Sequence, residues 1–426
     1  MNTLLHWYRN DLRSEDHAAL AHAAAKGMKV LPLYILPNEE MFRLSDLPRL
    51  GKHRKHFLYQ TLKDLAEFWN KQGTELLILQ GKPVDIIPQL CQKYTVEELS
   101  FAAAHASEEL AQEDALEKAL VDDKIRIFKF YDDFLIHPDD LFCHPSQIPD
   151  VFTNFRKSVE ANLKIRAPLV YEFPQGYPHH EKGISLEQII LNENSFAETR
   201  SAFPFSGGER QAQKRIQDYF FTNKFILQYK ETRNGLLGAD YSTKFSPWLG
   251  LGAVSPRQIY AELKKFEQQH GANESTYWLV FELFWRDYFR YMLIKYGEKL
   301  FLKNGLNIYN PKREIVQSDA LFQSWILGKT GDDFVDACMH ELAATGFMSN
   351  RGRQNVASYL VHQLKLDWRL GAEYFESMLL DYDAASNWGN WAYLAGVGND
   401  PRQRIFNTQK QAEQYDQNGE FRKCWN

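Results

Sequence analysis

Six polar side chains, Asn350, Arg351, Arg353, Asp381, Asp383 and Asn387, recur within residues 345–402 among segments whose apolar positions read as buried helix faces. Trp368, Trp388, Trp391 and Tyr393 crowd into the same stretch. A polar group inside a core needs a partner, and that partner can belong to a bound molecule. Several such groups converging with aromatics describe a pocket for a large, flat ligand with polar edges. The alternative for this segment alone is an internal network of salt bridges and hydrogen bonds.

Two further segments carry related chemistry. Residues 229–256 read YKETRNGLLGADYSTKFSPWLGLGAVSP, where Ser242, Thr243 and Ser246 lie between Gly238 and Gly250. Hydroxyls and closely approaching backbone can hold a diphosphate without a metal; a helix cap or turn is the alternative. Residues 278–290 read WLVFELFWRDYFR. Helical spacing puts Trp278, Glu282 and Trp285 on one side, with Arg286 one position further. Glu282 and Arg286 are also an i,i+4 pair, so a structural salt bridge is the competing reading. All three segments in this order are more specific than any one of them.

The elements that must position these residues change character along the chain. Strands are expected at 3–8, 29–36, 75–79, 98–102 and 125–131, alternating with helices at 16–26, 52–72, 84–93 and 108–120. That alternation predicts a parallel, Rossmann-like α/β sheet over 1–135. No GxGxxG follows the first strand, so the usual dinucleotide fingerprint is absent. From 136 to 200 repeated prolines end the alternation and predict a long connection, tolerable in a compact protein when it packs on both neighbours. From 201 to 426 the pattern is helical, with helices at 210–228, 255–269, 277–294, 332–344, 353–364 and 372–380. Ser255 before Pro256 reads as an N-cap with proline in the first turn.

A chain of 426 residues can bury a sizeable core and should divide into more than one domain. Its 29 Phe, 21 Tyr and 10 Trp are a high aromatic load, suited to packing but also to stacking and redox networks. Cys91, Cys143, Cys338 and Cys424 are far apart, show no metal-ligand spacing and read as thiols in a reducing compartment, so no metal site is expected. No secretion signal or membrane-spanning run is visible, and a cytoplasmic enzyme is the expectation. The formal charge of −5 excludes a protein that is basic all over, not one with a basic face. Lys164, Arg166, Arg351, Arg353, Arg402 and Arg404 lie outside the acidic stretch 97–123 and are candidates for such a face.

These strings together resemble the photolyase/cryptochrome flavoproteins, most of all the DASH-type cryptochromes. The resemblance opens at HWYRNDLR (6–13) and runs through WRDYFR, GKTG, GFMSNRGRQNVASYLVHQLKLDW, DYDAASNWGNW, AGVGNDPR and IFNTQKQAEQYDQNGEF. It is loose in the first part of the chain and dense in the helical part. It implies a helical domain that holds FAD, with Tyr229, Ser242, Thr243 and Ser246 around the ribityl and diphosphate part. Asn350, Arg353, Asp381, Asp383 and Asn387 would surround the isoalloxazine, with Arg353 and Asp381 as a buried ion pair and Asn387 facing flavin N5. Glu282, Trp285 and Tyr393 match the residues that receive a thymine dimer.

Tyr393 and Gln354 stand where duplex-acting photolyases have Trp and Met. The implied partner is therefore UV-damaged DNA, preferentially single-stranded, bound with help from Arg351, Gln354 and Arg402. The implied activity is blue-light-driven splitting of cyclobutane pyrimidine dimers, that of a lyase. The alternative is a blue-light sensor without significant repair. Trp391 and Trp368 match the inner and middle members of an electron path whose outer position is Ile315, with Trp325, Tyr309 or Tyr359 as substitutes. Glu108 and Glu109 match the region that contacts a folate antenna, methenyltetrahydrofolate, whereas His17 stands where relatives often carry Asn. A monomer without a regulatory tail is expected.

Overall fold

The computed structural model describes residues 2–36, 44–190, 198–306, 314–399 and 404–426. Five short strands, β1 (Thr3–Tyr8), β2 (Lys29–Leu36), β3 (Leu77–Gln80), β4 (Glu98–Ala102) and β5 (Arg126–Phe130), form one parallel sheet in the order β3-β2-β1-β4-β5. The connecting helices are α1 (Ala18–Lys26), α2 (Lys52–Lys71), α3 (Pro83–Lys93) and α4 (Ser107–Ala119). Such crossovers bury both faces of a parallel sheet, which is why β1 is buried along its whole length. Its alternate side chains divide between two cores. Leu5 and Trp7 pack with Leu31, Leu33, Leu99 and Phe101 beneath α3 and α4. Leu4 and Tyr8 belong to a second core that continues without interruption into the helical region.

The proline-rich stretch after β5 contains two 3-10 turns and the helices α5 (Phe152–Ala161) and α6 (Leu186–Ile189). It leans on both sides. The Gly176 N–H donates to Gln72 O at 2.9 Å and the Tyr177 N–H to Val30 O at 2.7 Å. Phe152 stacks on Trp285 in the helical region with ring centroids 3.6 Å apart.

The helical region comprises α7 (Glu209–Gln217), α8 (Tyr229–Thr232), α9 (Ser246–Gly250), α10 (Pro256–His270), α11 (Glu274–Tyr296), α12 (Asp319–Ile326), α13 (Asp333–Thr345), α14 (Asn350–Ser358), α15 (Trp368–Met378), α16 (Ala384–Leu394), α17 (Thr408–Tyr415) and α18 (Glu420–Trp425). Ser255 caps α10 as expected, accepting the Gln258 N–H at 3.0 Å, with Pro256 in the first turn. The single helix expected over 210–228 does not form. The chain instead passes from α7 through a π-helical turn, Asp218–Thr222, to a 3-10 turn, Phe225–Gln228. Neighbouring Tyr219 and Phe220 are both fully buried, as is Ile226, and Lys224 between them takes a left-handed φ of 54° that no regular helix permits. A similar π-helical turn, Tyr359–Gln363, follows α14 within the helix expected over 353–364.

Sheet and helices meet at the carboxyl end of β1. The Leu12 N–H donates to Leu251 O at 3.1 Å, and Arg13 donates to Gly252 O at 3.1 Å. Gly252 is required there: its φ is +66°, and a Cβ would lie 2.0 Å from Asn10 O. Buried Arg257 bonds to Asp16 at 2.8 Å and Asp132 at 3.1 Å, so one cation holds three segments together. No described helix is long and apolar enough to cross a membrane.

Candidate functional site

The helical region surrounds a cavity of ≈ 470 Å³. It is built from α11, α14, α16 and the loop between α8 and α9. Within that loop, Arg215 gathers the backbone: it donates to Ala239 O (3.2 Å), Ser242 O (3.1 Å) and Thr243 O (3.1 Å), and pairs with Asp240 at 2.8 Å. With those carbonyls committed, Tyr229, Ser242, Thr243 and Ser246 line the cavity.

Opposite them, α14 begins at the Ser349 cap, whose Oγ accepts the Gly352 N–H at 3.0 Å. This first turn delivers Asn350, Arg353 and Gln354 to the cavity wall. Arg353 is held twice, donating to Met348 O at 2.9 Å and to Asp381 Oδ2 at 3.0 Å. The other Asp381 oxygen is buried with no partner. Asp383 caps α16 by accepting the Ser386 N–H at 2.9 Å. Burial works against its charge, but Arg290 and Arg286, with Ser386, hold its carboxyl below the usual range. One turn on, Asn387 donates to Ala372 O at 3.0 Å; its amide oxygen is left for another donor.

The same cavity reaches Glu282, Trp285 and Tyr393. The Trp285 and Tyr393 rings stand 6.1 Å apart at 78°. The i,i+4 salt bridge between Glu282 and Arg286 does not form. Glu282 pairs with Arg233 from α8's C-terminus, whereas Arg286 donates to the carbonyls of Asp133 and Leu249. Burial pushes the Glu282 carboxyl up, with Arg233 and Trp278 opposing.

Several residues at this site were not anticipated from sequence. Arg233 is one, and its partner is 49 positions away. Lys244 is another: it lines the cavity, and its buried ammonium lies 3.2 Å from the centre of the Tyr241 ring without a hydrogen bond. Behind it, buried Glu341 has no hydrogen-bond partner on either oxygen, and burial pushes it up to about 8 against Lys244 and Arg353. Phe152, which covers one face of Trp285, comes from the connection.

Other expected residues lie elsewhere. Arg351 is outside the cavity, donating to Gln354 (2.9 Å) and Asn234 (3.0 Å) over the Tyr415 ring. Lys164 and Arg166 both pair with Asp140, so neither is a free member of a basic face. Arg402 and Tyr309 fall outside the described residues. Trp391 lines the cavity and lies 5.1 Å from Phe375 and 6.3 Å from the fully buried Trp325. Trp368 is buried behind it, 5.6 Å from Trp388; Ile315 is half-buried, and the Tyr359 hydroxyl sits 3.5 Å from Thr330 O. Glu108 and Glu109 occupy the first turn of α4, where Glu108 pairs with Arg49 at 2.7 Å. Arg49 also bonds to Glu376 of α15 at 3.0 Å, so this acidic pair lies where the sheet region meets the helices.

The residues fit FAD. A single cavity offers buried, unpartnered polar atoms on Asp381, Lys244 and Tyr241, hydroxyls on one wall and apolar side chains such as Leu279 and Phe289 on another. Those are the polar-edge and apolar-face contacts a flavin nucleotide needs.

Comparison with known proteins agrees with the geometry. Residues 4–175 match the DNA photolyase family, and residues 278–426 match the FAD binding domain of DNA photolyase. The chain is 44% identical to the cryptochrome DASH of Danio rerio, over 99% of this chain and 82% of that one. It is 43% identical to the Synechocystis cryptochrome DASH, over 99% and 87%. Among solved structures, a Synechocystis cryptochrome superposes with a TM-score of 0.94 at 42% identity, covering 100% of this chain and 88% of the other. A class III photolyase from Agrobacterium tumefaciens gives 0.86 at 26% identity, covering 100% and 86%.

Proposed function

The chain belongs to the DASH cryptochromes of the photolyase family, and from that premise we propose that it splits cyclobutane pyrimidine dimers in single-stranded DNA under blue light, as an FAD-dependent lyase. One observation carries the proposal. The cavity joins a set of residues suited to a flavin, Asn350, Arg353, Asp381, Asp383 and Asn387, to a set suited to a pair of bases, Glu282, Trp285 and Tyr393. Bound there in its reduced form, FAD would supply the electron that opens the cyclobutane ring on excitation.

The side chains of the protein do the rest. Arg353, fixed between Met348 O and Asp381, places a positive charge where extra electron density is to be held. Asn387 is oriented by Ala372 O and presents a neutral amide. Glu282, paired with Arg233 and with its carboxyl pushed up by burial, presents a hydrogen-bonding group to a base edge. Trp285 is backed by Phe152, so its ring is rigid before a base arrives. Tyr393 offers less stacking area than a Trp would, which favours a substrate already unstacked; extracting a base pair from duplex costs a few kcal/mol. Gln354 is at the cavity wall; Arg351 is held beside it.

The test uses reduced protein, a dimer-bearing oligonucleotide as single strand and as duplex, and blue light against darkness. Light-dependent repair of the single strand, weaker on duplex, is expected. Reduced, flavin-loaded protein that repairs neither would reject the proposal in favour of a light sensor. An antenna belongs to the same proposal: with Glu108 committed to Arg49, Glu109 is the carboxylate open to pterin N–H groups of methenyltetrahydrofolate. Glu109→Gln should then lower the folate absorbance that co-purifies or reconstitutes with the protein.

A further inference from the structure

Away from the cavity, three potential metal ligands converge inside the protein. His6 on β1, Asp11 in the loop after it and His17 at the start of α1 each offer one atom, and these atoms all lie within 4.8 Å of one another. His6 Nε2 is 3.1 Å from Asp11 Oδ2, and His17 Nε2 is 3.2 Å from the same oxygen. The three residues are 0%, 3% and 1% exposed, so bulk water does not reach them. The two imidazole rings stand at 90° with centroids 4.8 Å apart.

Hydrogen bonding alone leaves this cluster incomplete. Neither ring nitrogen of His17 has a partner that meets hydrogen-bond geometry, although Nε2 lies 3.2 Å from Asp11 Oδ2. An imidazole buried in that condition is costly. His17 also provides no side-chain cap for α1, the role its position would suggest.

Ligand atoms about 2.0–2.1 Å from a tetrahedral zinc are about 3.3 Å apart. Two of the separations, 3.1 and 3.2 Å, are close to that, and the third is within 4.8 Å. At His6 the surroundings match the pattern found around metal-bound histidines, in which the second ring nitrogen is held by a hydrogen-bond partner. His6 Nδ1 lies 2.9 Å from Ser100 Oγ, which orients the ring with Nε2 toward Asp11. Asp11 Oδ1 accepts the Arg9 N–H at 2.7 Å, leaving Oδ2 as the single inward oxygen.

We propose that His6, Asp11 and His17 form a structural site for one divalent first-row transition-metal ion, with zinc as the natural occupant. The ion would clip β1, the loop after it and the start of α1 into one unit. That loop is the segment that docks on the helical region through Leu12 and Arg13. The fourth coordination position is left to water, since the described residues supply no other ligand of these types. With no open route from solvent, the metal would be acquired during folding or by local opening.

The test is made on the full chain without a polyhistidine tag, expressed in medium supplemented with Zn²⁺ or Co²⁺ and gel-filtered against a weak chelator. We expect about one metal equivalent per chain in the unmodified protein and less than about a tenth in His17→Asn, with flavin content and circular dichroism unchanged. Co²⁺-grown protein should show the intense visible bands of four-coordinate cobalt. Adding Zn²⁺ to metal-stripped protein should raise Tm by at least about 3 °C, a shift absent in His17→Asn. Metal below a tenth of an equivalent in the unmodified chain overturns the proposal, as does equal metal in His17→Asn. If that variant does not fold, the cobalt spectrum decides: weak bands of six-coordinate cobalt overturn it.

Discussion

At the residue scale the site rests on charges whose partners are few and fixed. Arg353 and Asp381 are one such pair, with Asp381 buried and its second oxygen unpartnered. Removing one member leaves a buried charge without compensation, so Arg353→Ala should lose about 3 kcal/mol of stability and most of its bound FAD. Arg353→Lys should recover part of both, and a variant that keeps full flavin content after gel filtration would count against the pair's role. Glu341 makes a different prediction. Its folded-state value of about 8 lies above its ordinary 4.5, so the folded protein binds this proton more tightly than the unfolded chain does. Its contribution is therefore fully present at low pH and is lost as pH rises from about 4.5 to about 8. Urea titrations of the flavin-free protein across that range should show a falling component that Glu341→Gln removes. An unchanged slope in the variant would mean that another group carries it.

At the element scale the cavity depends on how closely α15 and α16 approach. Gly371 of α15 sits against Trp391 of α16 so tightly that a Cβ would lie 2.2 Å from the ring. Gly371→Ala must push the helices apart or turn the indole, at about 1–3 kcal/mol. The displaced Trp391 would reshape the cavity wall, and bound flavin per chain should fall with it. Stability within about 0.5 kcal/mol of the parent, by urea unfolding, would show that the interface yields more easily than this packing implies. The same two helices carry Trp368, Trp388 and Trp391, so a change in their spacing also changes the aromatic contacts behind the cavity.

At the scale of the whole molecule, one buried network joins the sheet region to the helical region. Arg257 of α10 bonds to Asp16 before α1 and to Asp132 after β5, and Arg13 donates to Asp16 O at 2.8 Å. Arg257→Met would take the nearest cation from two buried carboxylates, with Arg13 still 3.7 Å from Asp132, and should cost about 3 kcal/mol. Pairing it with Asp16→Asn should return part of that loss. A single variant losing less than about 1 kcal/mol in urea unfolding would mean that the joint is held mainly by apolar packing. The core that runs unbroken from Leu4 and Tyr8 into the helices makes that a real competitor.

Much of this architecture was legible before any coordinates. Apolar runs at 3–8 and 29–36, separated by a helical pattern, marked parallel strands, because a strand covered on both faces is apolar on both. Asn350, Arg353, Asp381, Asp383 and Asn387 announced a common pocket for a similar reason: polar side chains on otherwise apolar helix faces need a shared destination, and all five line one cavity. Sequence spacing failed where a side chain had a choice of partners. Glu282 and Arg286 are correctly spaced for a salt bridge, yet each bonds elsewhere, because the fold brings Arg233 to one and the Asp133 carbonyl to the other. Phe152 behind Trp285 and Glu341 behind Lys244 were invisible for the same cause, contact between segments distant in the chain. His6, Asp11 and His17 are the intermediate case. Their types and nearness are plain in the sequence, but only the turn from β1 into α1 brings their ligand atoms within 4.8 Å of one another. Local periodicity is a property of neighbouring residues and can be read from them; the convergence of side chains on a site is a property of the packed whole.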